Sequence, residues 1–225
     1  YVNKPMGSLT SSLAAQGYSG GEALHPCTAS NYNRPSVYEN LGFSTFTAID
    51  AFTADEKKNG AVRNQISDST AYKRIINGYE AQREESDEPF YMYCLTMQNH
   101  SPFDQAYDNL EETVQLDEDI FDDSANRYLN LITYSDQALE ELVTYFESVD
   151  EPTIILFTGD HQPRLTGKFL RKLTDGAYKN WGNEEMMKRY KVPFLIWANY
   201  DIEEKTVEQT SMNYLQTIML EAAGC

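Results

Sequence analysis

Residues 153–158 read Thr-Ile-Ile-Leu-Phe-Thr and run directly into Gly159-Asp160-His161. Such a run, β-branched and aromatic with no polar alternation, predicts a strand buried on both faces, the kind found in parallel sheets. A chain containing it must cover both sides of a sheet, and helices are what the remaining sequence offers. Residues 90–97 have the same near-continuous apolar character. Residues 192–198 form a further strand, with Pro193 predicting a start that lacks full ladder bonding. Weaker strands fall at 18–24 and 43–46.

Helical patterns separate these strands. Residues 8–16 read as a helix stopped by Gly17, and 35–41 as a short one with Pro in its first turn and Gly42 after it. Ser67 or Asp68 caps a helix to about Glu85, in which Tyr72, Ile75, Ile76 and Tyr79 share one face. The longest helix covers 124–149, with Leu131, Tyr134, Ala138, Leu142 and Tyr145 along one side. A last helix covers 211–223. The acidic stretch 104–123 reads as an exposed excursion. The fold class is therefore α/β, a mainly parallel sheet sandwiched by helices.

The chain has 225 residues, 41% of them hydrophobic, which suits one large domain. Its net charge of −17 excludes a general electrostatic nucleic-acid binder, because the phosphate backbone would be repelled. No apolar run approaches the ~20 residues that span a bilayer. The chain starts at Tyr1 without a signal peptide and is expected to be a piece of a longer polypeptide. The three cysteines, Cys27, Cys94 and Cys225, form no CxxC pair, and Cys94 reads as a small core residue.

The chemistry-bearing residues lie where strands end. In open parallel sheets ligands bind beyond the carboxyl ends of the strands, and His100 and Asp160-His161 follow predicted strands there. A neighbouring carboxylate and imidazole on a glycine turn suit a divalent cation such as Zn or Mn. Taken alone, they suit a capping Asp and a surface His equally. His100 is placed to hydrogen-bond a substrate or leaving-group oxygen, or simply the backbone. His25 has no partner in sequence. Arg34 precedes a helix and suits an anion. Arg164 and Lys168 are further basic candidates, otherwise solvated. The acidic cluster at 117–123 lacks the spacing and glycine of an EF-hand. GxSxG, P-loop and GxGxxG motifs are absent.

These segments together resemble the extracellular domain of lipoteichoic acid synthases and related phosphoglycerol or phosphoethanolamine transferases, within the sulfatase and alkaline phosphatase superfamily. The resemblance is carried, in order, by His25 with Asn31-Tyr32-Asn33-Arg34, Tyr38 and Leu41-Gly42-Phe43; by Ile66-Ser67-Asp68; and by the segment ending Thr96-Met97-Gln98-Asn99-His100-Ser101-Pro102-Phe103. Tyr134-Ser135-Asp136-Gln137-Ala138-Leu139, Phe157-Thr158-Gly159-Asp160-His161 and the closing helix complete it.

The resemblance implies a threonine nucleophile that forms a covalent phospho-enzyme, assisted by one divalent metal, Mn first, with Mg or Zn as substitutes. It implies that Asp160 and His161 are metal ligands and that His100 faces the substrate head group as a catalytic residue. It places Arg34 at the phosphate or glycerol site, Tyr32 nearby and His25 at the pocket edge. The implied substrate is a phospholipid head group or another phosphodiester. The full-length protein is expected to be anchored in a bacterial membrane and to face outward.

Two departures qualify the implication. The family's threonine and a further acidic ligand would precede Tyr1, and Thr10, Thr28 and Thr45 lie outside the nucleophile context. Residues 1–225 are thus expected to form part of the sulfatase-like domain, with about half of the metal site and no activity in isolation. Gln162-Pro163 after Asp160-His161 also differs from well-known lipoteichoic acid synthases. A sulfatase or phosphodiesterase of the same fold, or a non-catalytic binding remnant, are the alternatives.

Overall fold

The computed structural model describes residues 2–19, 21–174 and 180–224, so Cys225 lies outside the described residues. The chain divides into two compact units, Tyr1–Leu142 and Val143–Cys225. In the first, chain order is α1 (Leu9–Ala14), β1 (Glu22–His25), α2 (Arg34–Asn40), β2 (Thr45–Ala48), α3 (Ala54–Lys58), β3 (Ala61–Val62), β4 (Gln65–Ile66), α4 (Asp68–Glu85), β5 (Met92–Cys94) and most of α5 (Asp123–Glu147).

The fold is α/β. Strands β2, β1 and β5 form a parallel sheet with β1 in the centre, Glu22 standing beside both Thr45 and Met92. Ala23 and Leu24 of the central strand are buried, and Leu24 packs with Phe52 and Ile66 against Ile49, Ile75, Met92 and Cys94. Cys94 is thus a core residue, and burial pushes its thiol up to about 12. Among the described residues the three-residue β5 pairs with β1 alone, and Tyr93 is 39% exposed, so the two-sided burial expected of this run is not seen within them. Its aromatic rings pack sideways instead, Tyr93 against Tyr38 and Phe43.

Local chemistry sets the helix ends. In α1 the Ser8 and Ser11 hydroxyls each accept the other's backbone N–H, at 3.0 and 2.9 Å, and Gly17 takes a φ of 90° beyond its last turn. Ser67, not Asp68, caps α4, its hydroxyl accepting Thr70 N–H at 3.1 Å. In α3, Thr53 and Glu56 form a reciprocal capping box. The Glu56 carboxylate also receives Arg74 Nε and Nη2, each at 2.7 Å, which holds it down to about 2.

The acidic excursion is strapped to α5. Asn130, fully buried, accepts the N–H groups of Thr113 and Val114 and donates to the carbonyls of Val114 and Asn126. Asn126 accepts Leu116 N–H, and the Tyr134 hydroxyl accepts Glu111 N–H. Residues 126, 130 and 134 lie at four-residue steps on one helix face. They do for this loop what a neighbouring strand would do.

The second unit holds β6 (Ile154–Thr158), α6 (Gly167–Leu173), α7 (Asn183–Lys188), β7 (Phe194–Ala198) and α8 (Leu215–Ala222). Strands β6 and β7 pair antiparallel, from Ile154 beside Ala198 to Thr158 beside Phe194. The parallel setting and two-sided burial expected of residues 153–158 are thus not what this unit shows: composition carries no direction, and the five residues of β6 are half-buried. Pro193 lies just outside the ladder, as its missing N–H requires, and its carbonyl accepts Gly159 N–H at 3.3 Å. After β7, Asn199 accepts Thr153 N–H and donates to the carbonyls of Phe146, Val149 and Glu151. Among the described residues no helix is long and apolar enough to cross a membrane.

Candidate active site

His25 is the last residue of β1 and has no exposed surface. Its Nδ1 lies 2.6 Å from the carbonyl oxygen of Leu95, and a carbonyl only accepts, so Nδ1 carries the proton. Nε2 is then a lone-pair acceptor, and it is buried without a partner. Burial keeps this imidazole below the ordinary histidine range; the Leu95 bond opposes that, and the nearby Arg34 charge reinforces it.

Tyr32 and Asn33 link this strand end to α2 in successive left-handed conformations, φ 56° and 52°. Each costs a non-glycine residue roughly 1–3 kcal/mol and marks a place where geometry matters more than local comfort. The turn leaves the Tyr32 ring 70% exposed, with the Arg34 guanidinium 5.0 Å from its centroid. Arg34 also donates to the carbonyl of Asn31 at 3.2 Å. The structure therefore brings His25, Tyr32 and Arg34 together.

His100 lies in the loop after β5, the parallel neighbour of β1, and is exposed. Its Nδ1 donates to Ser101 O at 2.7 Å, which again leaves Nε2 as the free acceptor. Below it the loop is tied down by buried hydrogen bonds. Gln98, 1% exposed, accepts Asp68 N–H at 3.0 Å and donates to Ser135 Oγ at 3.0 Å. Ser135 in turn donates to the Asp68 carboxylate at 2.5 Å. Burial raises Asp68 above the usual carboxylate range, against the hydroxyls of Ser135 and Thr96.

Asp160 and His161 lie in the second unit, directly after β6, both exposed. His161 Nδ1 donates to Gln162 O at 2.9 Å, and its Nε2 stands 3.6 Å from Asp160 Oδ2. Two ligands at about 2.1 Å from a tetrahedral cation are separated by roughly 3.4 Å. One oxygen, one nitrogen lone pair and a second ring nitrogen tied to a carbonyl are a fitting half-site for a divalent metal. Among the described residues no group of three or more His, Cys, Asp or Glu side chains converges on a metal position. Arg164 and Lys168 are exposed.

The Sulfatase family model matches residues 3–225. This chain belongs to the Sulfatase family. Over its whole length it is 28% identical to a putative cyclic beta-1,2-glucan modification protein of Rhizobium meliloti, of which it covers 34%. The Streptococcus pyogenes phosphoglycerol transferase GacH, solved in complex with sn-glycerol-1-phosphate, superposes with a TM-score of 0.64 at 27% identity, over 92% of this chain and 50% of that one. The lipoteichoic acid synthase LtaP of Listeria monocytogenes gives a TM-score of 0.66 at 22% identity, over 87% of this chain and 47% of that one, and shares the fold. The sulfatase-family chain thus spans about a third to a half of the length of these proteins.

Sequence reasoning located the six candidate side chains of this sulfatase-family chain but not the groups that hold them. The carbonyls of Leu95, Ser101 and Gln162, each bonded to a histidine, carry no side-chain signal. Arg63, which binds the His100 loop, was also missed. Its only signal is a bulky residue in a turn where glycine or asparagine is usual.

Proposed function

We propose that this chain supplies phosphate-facing and metal-facing side chains to a metal-dependent phosphotransferase. The reaction moves a phosphoglycerol-type group, or phosphoethanolamine, from a lipid donor to a cell-envelope polymer on the outer face of a bacterial membrane. The observation that carries this reading is shared by all three histidines of the chain. Each donates Nδ1–H to a backbone carbonyl, so each keeps Nε2 as an acceptor at the carboxyl end of β1, β5 or β6. An exposed acceptor of this kind suits a hydroxyl of a glycerol head group at His100 and a metal at His161, while His25, its Nε2 buried, lies behind Arg34 at the pocket edge in this reading. Arg34 supplies a permanent positive charge for the phosphoryl oxygens, and the Tyr32 ring lines the approach. GacH, complexed with sn-glycerol-1-phosphate, supports the choice of head group.

Asp160 and His161 would hold the metal, Mn in the first instance. A bound divalent ion there neutralises phosphoryl charge and lowers the pKa of a coordinated hydroxyl. The threonine that forms the phospho-enzyme is proposed to lie outside residues 1–225, which are read as part of one sulfatase-like domain.

The test is turnover of phosphatidylglycerol by the full-length protein. His100→Ala is expected to lower turnover tenfold or more with metal content unchanged, and Arg34→Ala to raise KM. Unchanged kinetics in both variants would remove these side chains from the site. Free glycerol phosphate as the sole product, with acceptor present, would favour a phosphodiesterase instead.

A further inference from the structure

The loop that bears His100 rests on a buried cation. Arg63 occupies the turn between β3 and β4 with a φ of 57°, a strained conformation for any residue but glycine. It is 7% exposed, and among the described residues no carboxylate pairs with it. Both Nη groups donate to the main chain, while Nε is buried without a partner. Nη1 reaches Pro102 O at 2.7 Å, while Nη2 reaches Gln98 O at 2.6 Å and His100 O at 2.8 Å. The guanidinium carbon lies 5.4 Å from the centroid of the Phe103 ring. One planar fork thus reads three carbonyls of a five-residue loop, which the compact ammonium of lysine does not reproduce.

The loop is pinned from its other side as well. Gln98 and Asn99 both donate to Ser135 Oγ, at 3.0 and 2.7 Å. Its backbone is therefore held by Arg63 on one side and by side chains reaching α4 and α5 on the other. The exposed imidazole of His100 projects from this frame. The two-residue hairpin joining Val62 to Gln65 itself calls for the positive φ, which glycine would meet at no cost; the desolvated charge is the costly feature that the turn does not need.

We propose that Arg63 is a positioning residue for His100. By fixing the carbonyls on either side of the histidine, it sets the aim of Nε2 without touching substrate. The role of His100 rests on the preceding functional reading; the hold on its ring does not.

The experiment uses the full chain with 13C-labelled histidine. Glycine accepts the left-handed turn, so Arg63→Gly keeps the hairpin while removing the fork. The His100 ring resonance is expected to shift and broaden in Arg63→Gly, and less in Arg63→Lys, with the His161 resonance fixed. Binding of sn-glycerol-1-phosphate is expected to weaken about tenfold in Arg63→Gly and in His100→Ala, and no further in the double variant. A His100 resonance unmoved by either substitution overturns the proposal. So does an undiminished Arg63→Gly effect on binding in the His100→Ala background. A shifted resonance combined with unchanged binding in His100→Ala upholds Arg63 as the holder of the ring and removes His100 from the substrate site. If Arg63→Gly fails to fold, Arg63→Lys alone decides through the same resonance.

Discussion

Asp160 Oδ2 and His161 Nε2 stand 3.6 Å apart at the end of β6, with the opposite imidazole nitrogen committed to the carbonyl of Gln162. An isolated ion pair between these exposed groups would contribute little. The same spacing around a cation would be worth far more, because both donors would then be used together.

Asp160→Asn keeps the shape of the side chain and removes its charge. Mn affinity of the full-length protein, read by titration calorimetry or electron paramagnetic resonance, is expected to fall tenfold or more, and likewise in His161→Ala. Wild-type affinity in both variants would place the metal elsewhere.

His25 gives stability a definite pH slope. Its folded-state pKa lies below 6.5 because burial penalises the charged form. Between that lowered value and about 6.5 the unfolded chain binds more protons, so stability falls as pH drops through 6.5. Asp68, raised from 3.8, contributes the opposite slope above that value. It is common to wild type and His25→Gln, so the difference between their urea midpoints from pH 7.5 to 5.5 isolates the histidine. A difference independent of pH would contradict the assignment.

The Glu56–Arg74 fork acts in a lower window. Glu56 is depressed from 4.5 to about 2, so its contribution is complete above 4.5 and disappears as pH falls toward 2. Both side chains are about a quarter exposed, which moderates the pair. Glu56→Gln also weakens the capping box on α3 and is expected to cost about 1–2 kcal/mol at pH 7, measured by thermal or urea unfolding. The cost should shrink at pH 3.

Asn130→Leu fills the same buried space without the four hydrogen bonds that strap the acidic loop. A loss of about 1–3 kcal/mol is expected, with faster hydrogen exchange at the Thr113 and Val114 amides. Slow exchange in the variant would show that the strap is held by something else.

Much of the fold was legible because its punctuation is local. Ser8 and Ser67 cap where serine should, and Gly17 and Gly42 turn left-handed where helices stop. α5 and β6 begin within a residue of the periodic patterns that predict them. What escaped lacks a period. β3 and β4 are two residues each, too short to alternate, although the Thr53-to-Glu56 spacing that starts α3 was a readable capping box. The direction of β7 depends on its partner, not its composition. The candidate side chains were visible because histidines after strands and an arginine at a helix start are conspicuous. The histidine tautomers were not, since these are set by main-chain oxygens, which every residue carries, whether adjacent, as Ser101 is to His100, or distant, as Leu95 is from His25.

The asparagine strap bears on how this surface tolerates change. Asn126, Asn130 and Tyr134 grip peptide groups at positions 111, 113, 114 and 116, never the side chains there. Those side chains are free to be exchanged for almost any other, proline excepted, while the path of the segment stays the same. Glu112 is the exception, its carboxylate held by Asn126 and Arg127; elsewhere the strap is a hard rail on α5 with, above it, an outer lining that can be rewritten.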